Sequence, residues 1–252
     1  MRKILFITEG RRAEPLLLRV LWDKFNFPKN YEFYSYNTNL TVLTKEYYKE
    51  GSFDDDLDLI MLLREKGVDE KNRAALDLEY TDVFLIFDLD SHVNSFDPDR
   101  IREMMAHFSD SAGFGKLYIN YPMLESWRDI RSENDIDFKD RAVAKADFSK
   151  YKHMVLKNNY SWAPLRNFSK TDRISLSIVI RFHLMKANYI LTGSYAVPKK
   201  EDYLKFDFYN LLEKELALLG EQDMVHVLCT ALFCVIEYNP TKFFAGLYDV
   251  PA

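Results

Sequence analysis

Short apolar runs alternate with segments of helical periodicity over the first half of the chain. Four runs predict strands, at residues 3–9, 32–36, 83–87 and 116–121. Helices are predicted between and after them, at residues 14–25, 40–48 and 57–78 and onward from Asp97 and from Pro122. The first and third runs lack strict alternation, which is typical of parallel strands covered on both faces. This order predicts an α/β fold with a parallel sheet, flanking helices and right-handed crossovers.

The pattern changes after residue 138, where no run predicts a strand. Helices are predicted near residues 139–158, 170–191, 201–219 and 223–238. Ser169 is expected to cap the second of these helices, with Asp172 as its acidic partner in a capping box. The chain is therefore expected to consist of an α/β domain over residues 1–138 and a helical C-terminal region over residues 139–252.

Composition indicates a folded protein in a reducing compartment. The 252 residues are 48% hydrophobic, which is enough for a core in one large or two small domains. Cys229 and Cys234 lie in an apolar segment that is predicted to be helical, and we expect both to be buried, reduced thiols. The first apolar run is too short for a signal peptide, and no segment approaches the roughly 20 apolar residues of a membrane span. A cytoplasmic protein without a membrane segment is expected.

Acidic side chains follow two of the predicted buried strands. Glu9 ends the first apolar run, and Asp88 and Asp90 follow the third. Ligand sites of parallel sheets lie just beyond the carboxyl ends of the strands, and residues two apart on a strand point to the same side. Each acid alone is an ordinary polar residue at a strand end, but together they favour a site for Mg²⁺ or Mn²⁺.

The acidic motifs resemble those of a known family. Residues 9–14 read Glu-Gly-Arg-Arg-Ala-Glu and residues 88–90 read Asp-Leu-Asp, which is similar to the TOPRIM domain of topoisomerases, primases and several nucleases. Residues 120–127 read Asn-Tyr-Pro-Met-Leu-Glu-Ser-Trp, with one residue more between Asn120 and Pro122 than the Asn-Pro-x-x-Glu-x-Trp motif of RloB-like chains. Stand-alone TOPRIM nucleases of anti-phage defence are the nearest likeness: the OLD-type and RloB-like proteins and the AriB effector of PARIS.

The resemblance covers roughly the first 130 residues and implies a TOPRIM-like, Rossmann-like catalytic domain. It implies a nuclease that binds one or two Mg²⁺ or Mn²⁺ ions through Glu9, Asp88 and Asp90, while Glu14 and Glu125 assist catalysis. Glu14 is also a first-turn acid of the kind that the helix dipole favours, and Glu125 has the same alternative. The likeness to defence effectors implies a toxic, abortive-infection role under the control of an ABC-type ATPase. The chain contains no Walker A motif, so that ATPase would be a separate protein.

Three residues next to the acids are candidates for nucleic-acid contacts. Arg11 and Arg12 follow the first acid, where guanidinium groups suit phosphate, although they would also balance the negative charge. His92 lies two residues beyond Asp90, within reach as a proton donor or ligand, or as an ordinary loop residue facing solvent.

Positive charge is concentrated in the C-terminal half. Residues 139–205 contain 14 Lys and Arg against 5 Asp and Glu, a net charge of +9 in a chain whose net charge is −5. Lys150, Lys152, Lys157 and Arg166 alternate there with aromatic rings and are candidates for binding phosphates. Cations beside rings that stack on unpaired bases favour RNA over duplex DNA, and the likeness to AriB implies that tRNA is among the candidates. The alternative is a helical bundle with rings in its core and lysines in solvent.

Two other functions remain open. Asp88 and Asp90 after an apolar strand also resemble the nucleophile and acid of haloacid-dehalogenase-like phosphatases. That assignment gives Glu9 no role and expects Thr or Val where His92 stands. The other alternative is a non-catalytic subunit that binds a partner protein, and the sequence leaves a homodimer open as well.

Overall fold

A computed structural model describes residues 3–49, 51–66, 70–91, 93, 95–157, 162–167 and 170–247. In chain order, the first half contains β1 (Ile4–Thr8), α1 (Ala13–Lys24), β2 (Tyr31–Ser35), α2 (Leu40–Glu46), β3 (Tyr48–Lys49), β4 (Ser52–Phe53), α3 (Leu59–Glu65), α4 (Glu70–Leu76), β5 (Asp82–Asp88), α5 (Pro98–His107), β6 (Ser109–Asp110) and β7 (Gly115–Asn120). The second half contains β8 (Ala142–Ala144), α6 (Phe148–Lys157), α7 (Ala163–Arg166), α8 (Arg173–Thr192), α9 (Lys200–Tyr203), α10 (Phe208–Gln222), β9 (Met224–His226), α11 (Cys234–Tyr238) and α12 (Pro240–Leu247).

A five-stranded sheet in the order β2-β1-β5-β7-β6 organises the first half. The first four strands are parallel, and β6 adds a short antiparallel edge. All five residues of β1 are buried, as expected for a strand whose apolar run shows no alternation. The predicted α/β class with a mainly parallel, helix-flanked sheet is confirmed, and each of the four predicted strands is present within one or two residues of its predicted ends.

Three helical predictions need correction. The helix predicted at residues 40–48 ends at Glu46, because β3 and β4 form a hairpin around Gly51, whose φ is +88°. Residues 57–78 contain two separate helices, α3 and α4. The segment after Pro122 forms a short 3-10 helix, Leu124–Arg128, where a longer helix was expected. At α5 the prediction is confirmed, because Asp97 accepts hydrogen bonds from the first-turn N–H groups and Pro98 is the first helical residue.

The prediction that no strand follows residue 138 is wrong. β8 pairs with β9 in an antiparallel ladder. Each of these strands has three residues, too few for a periodic pattern, and about 80 residues separate them in the sequence. The helix predicted at residues 139–158 therefore begins only at Phe148, and the helix predicted at 223–238 is replaced by β9, a 3-10 helix at Thr230–Phe233, and α11.

The start of α8 also differs from the prediction. Asp172 is itself the N-cap, and its side chain accepts a hydrogen bond from the Ser175 backbone N–H at 2.7 Å. Ser169, the predicted cap, lies outside the described residues. Cys229 and Cys234 are free and buried, as predicted.

The C-terminal region packs against the sheet of the first half. Tyr121 and Leu228 form an antiparallel bridge, with N–H to O distances of 2.7 and 2.8 Å. The Arg102 Nε atom on α5 lies 2.6 Å from the Glu213 Oε1 atom on α10. A single cluster of buried apolar residues extends through both parts. The boundary at residue 138 stays a prediction, but the two parts share one core.

α8 lies within this core. Contrary to the prediction that no segment approaches a membrane span, its length and apolar composition would allow it to cross a membrane, but 67% of its apolar stretch is buried inside the protein. α8 is therefore packed as a core helix in this structure. The cytoplasmic location remains a prediction.

Two of the cations counted in residues 139–205 are internal. Lys186 is fully buried and donates hydrogen bonds to the Phe138 and Arg141 carbonyl oxygens, and burial lowers its pKa to about 7. Arg141 makes a bidentate pair with the Asp135 carboxylate, at 2.9 Å for each contact. The positive charge of this segment is therefore not all available at the surface.

Gly115 at the start of β7 provides a test of the packing. Its φ is +124°, and a Cβ atom there would lie 2.8 Å from the Leu85 Cδ1 atom. We expect Gly115→Ala to lower the free energy of unfolding by about 1–3 kcal/mol, since both backbone strain and overlap oppose it. Gly220 on α10 is the matched control: it is exposed, its Cβ position is open, and Ala there should stabilise the helix by up to about 1 kcal/mol. Urea unfolding measures both; equal effects would contradict this packing.

Candidate functional site

An acidic cleft of about 380 Å³ lies at the carboxyl ends of β1 and β5. The loop between β1 and α1, the end of β5, the 3-10 helix at Leu124–Arg128 and α6 contribute to its walls. Its lining residues are Glu9, Gly10, Arg11, Arg12, Ala13, Glu14, Asp88, Leu124, Glu125 and Lys152. The cleft thus brings together four of the five acids that were predicted for catalysis.

Glu9 and Asp88 are adjacent because their strands are neighbours. The register of β1 and β5 places Thr8 beside Ile86, so both strands end at the same edge of the sheet. The Asp88 backbone N–H donates to the Glu9 Oε2 atom at 3.2 Å. The expectation that acids at two strand ends lie close together is met for this pair.

Glu14 turns into the cleft from the first turn of α1. Its carboxylate is buried, and its Oε1 atom accepts a hydrogen bond from the Gly10 N–H at 3.3 Å. A Cβ atom on Gly10 would lie only 3.1 Å from the Glu14 Oε2 atom. A side chain at residue 10 would therefore require the Glu14 carboxylate to shift by a few tenths of an ångström.

Asn120 fixes the orientation of the Asp88 carboxylate. It ends β7 directly beside Asp88, and its Nδ2 atom donates to the Asp88 Oδ1 atom at 3.1 Å. Its own Oδ1 atom accepts from the Ala231 N–H at 3.1 Å and from the Cys229 Sγ atom at 3.3 Å. Asn120 is fully buried. The sequence motif left its role open; a polar residue that ends an apolar strand beside an acid was the available signal.

Lys152 lies in the acidic cleft itself. Its Nζ atom on α6 is 2.6 Å from the Oε1 atom of Glu125, which is buried in the 3-10 helix. The sequence predicted Lys152 as part of a basic surface for nucleic acid and gave no indication that it would pair with Glu125. That contact depends on how α6 packs against the 3-10 helix.

The other predicted residues next to the acids differ in position, and of these Arg11 and Arg12 line the cleft. Asp90 is not among the lining residues, although its charge acts on Glu9. The Arg11 Nε atom donates to the Asn37 Oδ1 atom at 2.7 Å, and Arg12 is exposed at the start of α1.

Of the remaining basic candidates, the structure describes the side chains of Lys150 and Arg166. Lys150 on α6 and Arg166 at the end of α7 are exposed and do not line it. Lys157 ends α6, but its side chain, like the whole of His92, lies outside the described part of the chain.

The acids of the cleft repel one another. Burial, followed by the charges of Asp90, Glu14 and Glu125, raises the pKa of Glu9 to about 8. Burial and the neighbouring Glu9 and Glu14 raise the pKa of Asp88 well above its usual range, and burial also raises the pKa of Glu14. The cleft therefore concentrates carboxyl groups whose ionisation is unfavourable without an added cation.

The donor set of the cleft suits a hard divalent cation. Carboxylate oxygens are the side-chain ligands that Mg²⁺ and Mn²⁺ prefer. Among the described residues, however, no three His, Cys, Asp or Glu side chains converge closely enough to hold a metal ion. The hydrogen bonds and the ion pair given above direct each cleft carboxylate to a different partner. Since Mg²⁺ keeps several waters and takes only one or two direct carboxylates, the chemistry of the cleft still fits such an ion.

Comparison of the chain with protein-family models, curated proteins and solved structures found no match. The TOPRIM resemblance therefore rests on the quoted motifs and stays a prediction.

Glu9 provides a test of the electrostatics that does not depend on activity. Because its folded-state pKa of about 8 exceeds the ordinary value of 4.5, the folded protein holds this proton more tightly than the unfolded chain. Ionisation of Glu9 therefore costs stability increasingly as pH rises from 4.5 to 8, and the cost is absent at lower pH. We expect Glu9→Gln in chelator to raise the Tm at pH 8.5, with about 2–4 °C for each kcal/mol recovered, and the gain to disappear near pH 4.5. A gain that is equal at both pH values would contradict the shift.

Asn120 provides a second test. Asn120→Ala leaves Asp88 and the Ala231 N–H without their partner, and each buried unsatisfied group costs about 1–3 kcal/mol. We expect a loss of about 2–5 kcal/mol in the free energy of unfolding, measured with urea. Asn134→Ala, at an exposed position, should change it by less than about 0.5 kcal/mol. Similar effects of the two substitutions would show that the Asn120 bonds contribute little.

Proposed function

We propose that this protein is a Mg²⁺- or Mn²⁺-dependent nuclease that cleaves RNA, tRNA included, in the acidic cleft. The observation that carries the proposal is the grouping of Glu9, Glu14, Asp88 and Glu125 around one cleft, at the strand ends where parallel sheets bind ligands. Ionisation of Glu9 and Asp88 is unfavourable, and a divalent cation bound in the cleft would stabilise their charged forms.

The side chains divide into metal-holding and assisting groups in this proposal. Glu9 and Asp88 hold the ion, and Asp90 contributes through its nearby charge. When bound, such an ion polarises a phosphoryl oxygen and offsets the charge that develops during phosphodiester cleavage. Glu14 and Glu125 face the same cleft and are positioned to orient the attacking water or accept its proton.

Cationic side chains at the cleft are proposed to bind the phosphate groups of the substrate. Arg11, Arg12 and Lys152 line the cleft beside the carboxylates, where a polyanion would otherwise be repelled. Lys150 is exposed on the same helix as Lys152 and extends this basic character outward. The preference for RNA rests on the likeness to the AriB effector, because Tyr151, the ring between Lys150 and Lys152, is buried and cannot stack on a base.

The proposed biological setting follows from the motif likeness. A TOPRIM nuclease of the AriB, RloB-like or OLD-type kind acts as a toxic effector in abortive infection, under the control of a partner ATPase. The absence of a Walker A motif in the sequence is in keeping with a separate ATPase. Co-purification with the product of a neighbouring ATPase gene would support this setting.

The phosphatase alternative explains less of the cleft. It uses Asp88 as nucleophile and Asp90 as acid, yet Asp90 is not among the lining residues. It also assigns no role to Glu9 and Glu14, which are. These two glutamates favour the nuclease over the phosphatase.

Cleavage assays on the purified protein test the proposal. With Mg²⁺ or Mn²⁺ we expect cleavage of tRNA or single-stranded RNA, and Glu9→Gln and Asp88→Asn should each lower the rate at least about 100-fold, because several kcal/mol of charge stabilisation are lost. Glu103→Gln, at an exposed position on α5, is the matched control and should retain the wild-type rate.

Three results would count against the nuclease. Cleavage at the wild-type rate by Glu9→Gln would show that the acidic cleft is not the active site. Cleavage that persists in chelator would show that the reaction does not require a divalent metal ion. Hydrolysis of a small phosphomonoester that requires Asp88 but not Glu9, without cleavage of RNA, would favour the phosphatase.

A further inference from the structure

The acidic cleft already contains a cationic group, the ammonium of Lys152. Its Nζ atom lies 2.6 Å from the Glu125 Oε1 atom. The hydrogen bond to Glu125 raises the pKa of Lys152, and the charges of Glu14 and Asp88 add to this effect. The ammonium group is therefore close enough to three of the cleft acids to offset part of their charge.

The two partners of this ion pair differ in their freedom to move. The Lys152 side chain is 58% exposed, whereas that of Glu125 is only 11% exposed. Glu125 lies in a 3-10 helix between the buried residues Leu124 and Ser126. Lysine has a flexible four-carbon stem, and a pair with an exposed lysine contributes at most about 1 kcal/mol. Lys152 can leave while Glu125 stays in the cleft.

We propose that Lys152 is a resident counter-ion of the cleft, which a divalent cation displaces from Glu125. The identity of the competing cation rests on the proposed function, but the exchange itself requires only that the carboxylates bind a divalent ion. A divalent ion held by Glu9 and Asp88 repels the ammonium group and attracts the Glu125 carboxylate more strongly than a single positive charge does. Lys152 consequently weakens metal binding in the free protein and keeps the cleft closer to neutrality until the ion arrives.

Binding of Mn²⁺ alone, measured by isothermal titration calorimetry without nucleic acid, tests the exchange. Lys152→Met should bind Mn²⁺ roughly threefold to tenfold more tightly than the wild type. The substitution removes a competing ion pair that contributes up to about 1 kcal/mol, and it also removes a positive charge near the carboxylates. Lys145→Met is the matched control, because Lys145 is an exposed lysine that does not line the cleft; its affinity should stay within about twofold of the wild type.

A double-mutant cycle tests whether the effect acts through Glu125. In a Glu125→Gln background, which removes the shared carboxylate, Lys152→Met should change Mn²⁺ affinity by less than it does in the wild type. An unchanged gain in that background would overturn the exchange at Glu125. Circular dichroism and thermal melts of each variant confirm that it is folded.

The remaining outcomes separate this proposal from the nuclease assignment. Equal or weaker binding of Mn²⁺ by Lys152→Met overturns the exchange, and so does a failure of both proteins to bind Mn²⁺, which also removes the metal from the proposed function. If Lys152→Met binds more tightly but neither protein cleaves nucleic acid, the exchange stands and the nuclease assignment fails.

Discussion

One buried amide joins the two parts of the protein at the acidic cleft. Asn120 donates to Asp88 through Nδ2 and accepts from Ala231 and Cys229 through Oδ1. The amide can thus orient the carboxylate only while the segment before α11 lies against the end of β7. Because a buried polar group without partners costs more than its bond contributes, the three contacts form or fail together. The C-terminal region is in this way part of the site that the sheet creates.

The cleft shows a conflict between stability and site chemistry. Parallel strands bring Glu9 and Asp88 to one edge, where burial and mutual repulsion oppose their ionisation. Local contacts offset part of this electrostatic cost. The backbone N–H groups of Asp88 and Gly10 donate hydrogen bonds to Glu9 and Glu14, and Lys152 forms an ion pair with Glu125. Groups held against an electrostatic penalty are more often functional than structural, since a neutral side chain would be more stable in the same place.

Sequence patterns predicted what depends on neighbouring residues or on strand ends. The apolar runs located β1, β5 and β7, and the ends of β1 and β5 led to Glu9 and Asp88. β8 and β9 escaped prediction because each has three residues and requires a distant partner. Charge counting along the chain also could not separate Lys186, which is buried under carbonyl oxygens, from Lys152, which reaches the cleft. Both distinctions arise only when α6 and α8 have packed.

The fold of this chain does not by itself determine its reaction, which depends on the side chains at the site. A parallel α/β sheet with acids at its strand ends serves several chemistries, phosphatases and nucleases among them. The residues around Asp88 distinguish these chemistries in this protein. Glu9 and Glu14 line the same cleft as Asp88, whereas Asp90 does not line that cleft. Lys152 adds a further constraint, because a cleft that holds an ammonium group against buried carboxylates is already suited to cations. The chemistry of the cleft thus favours a cation-dependent reaction on a phosphate ester over covalent catalysis by Asp88.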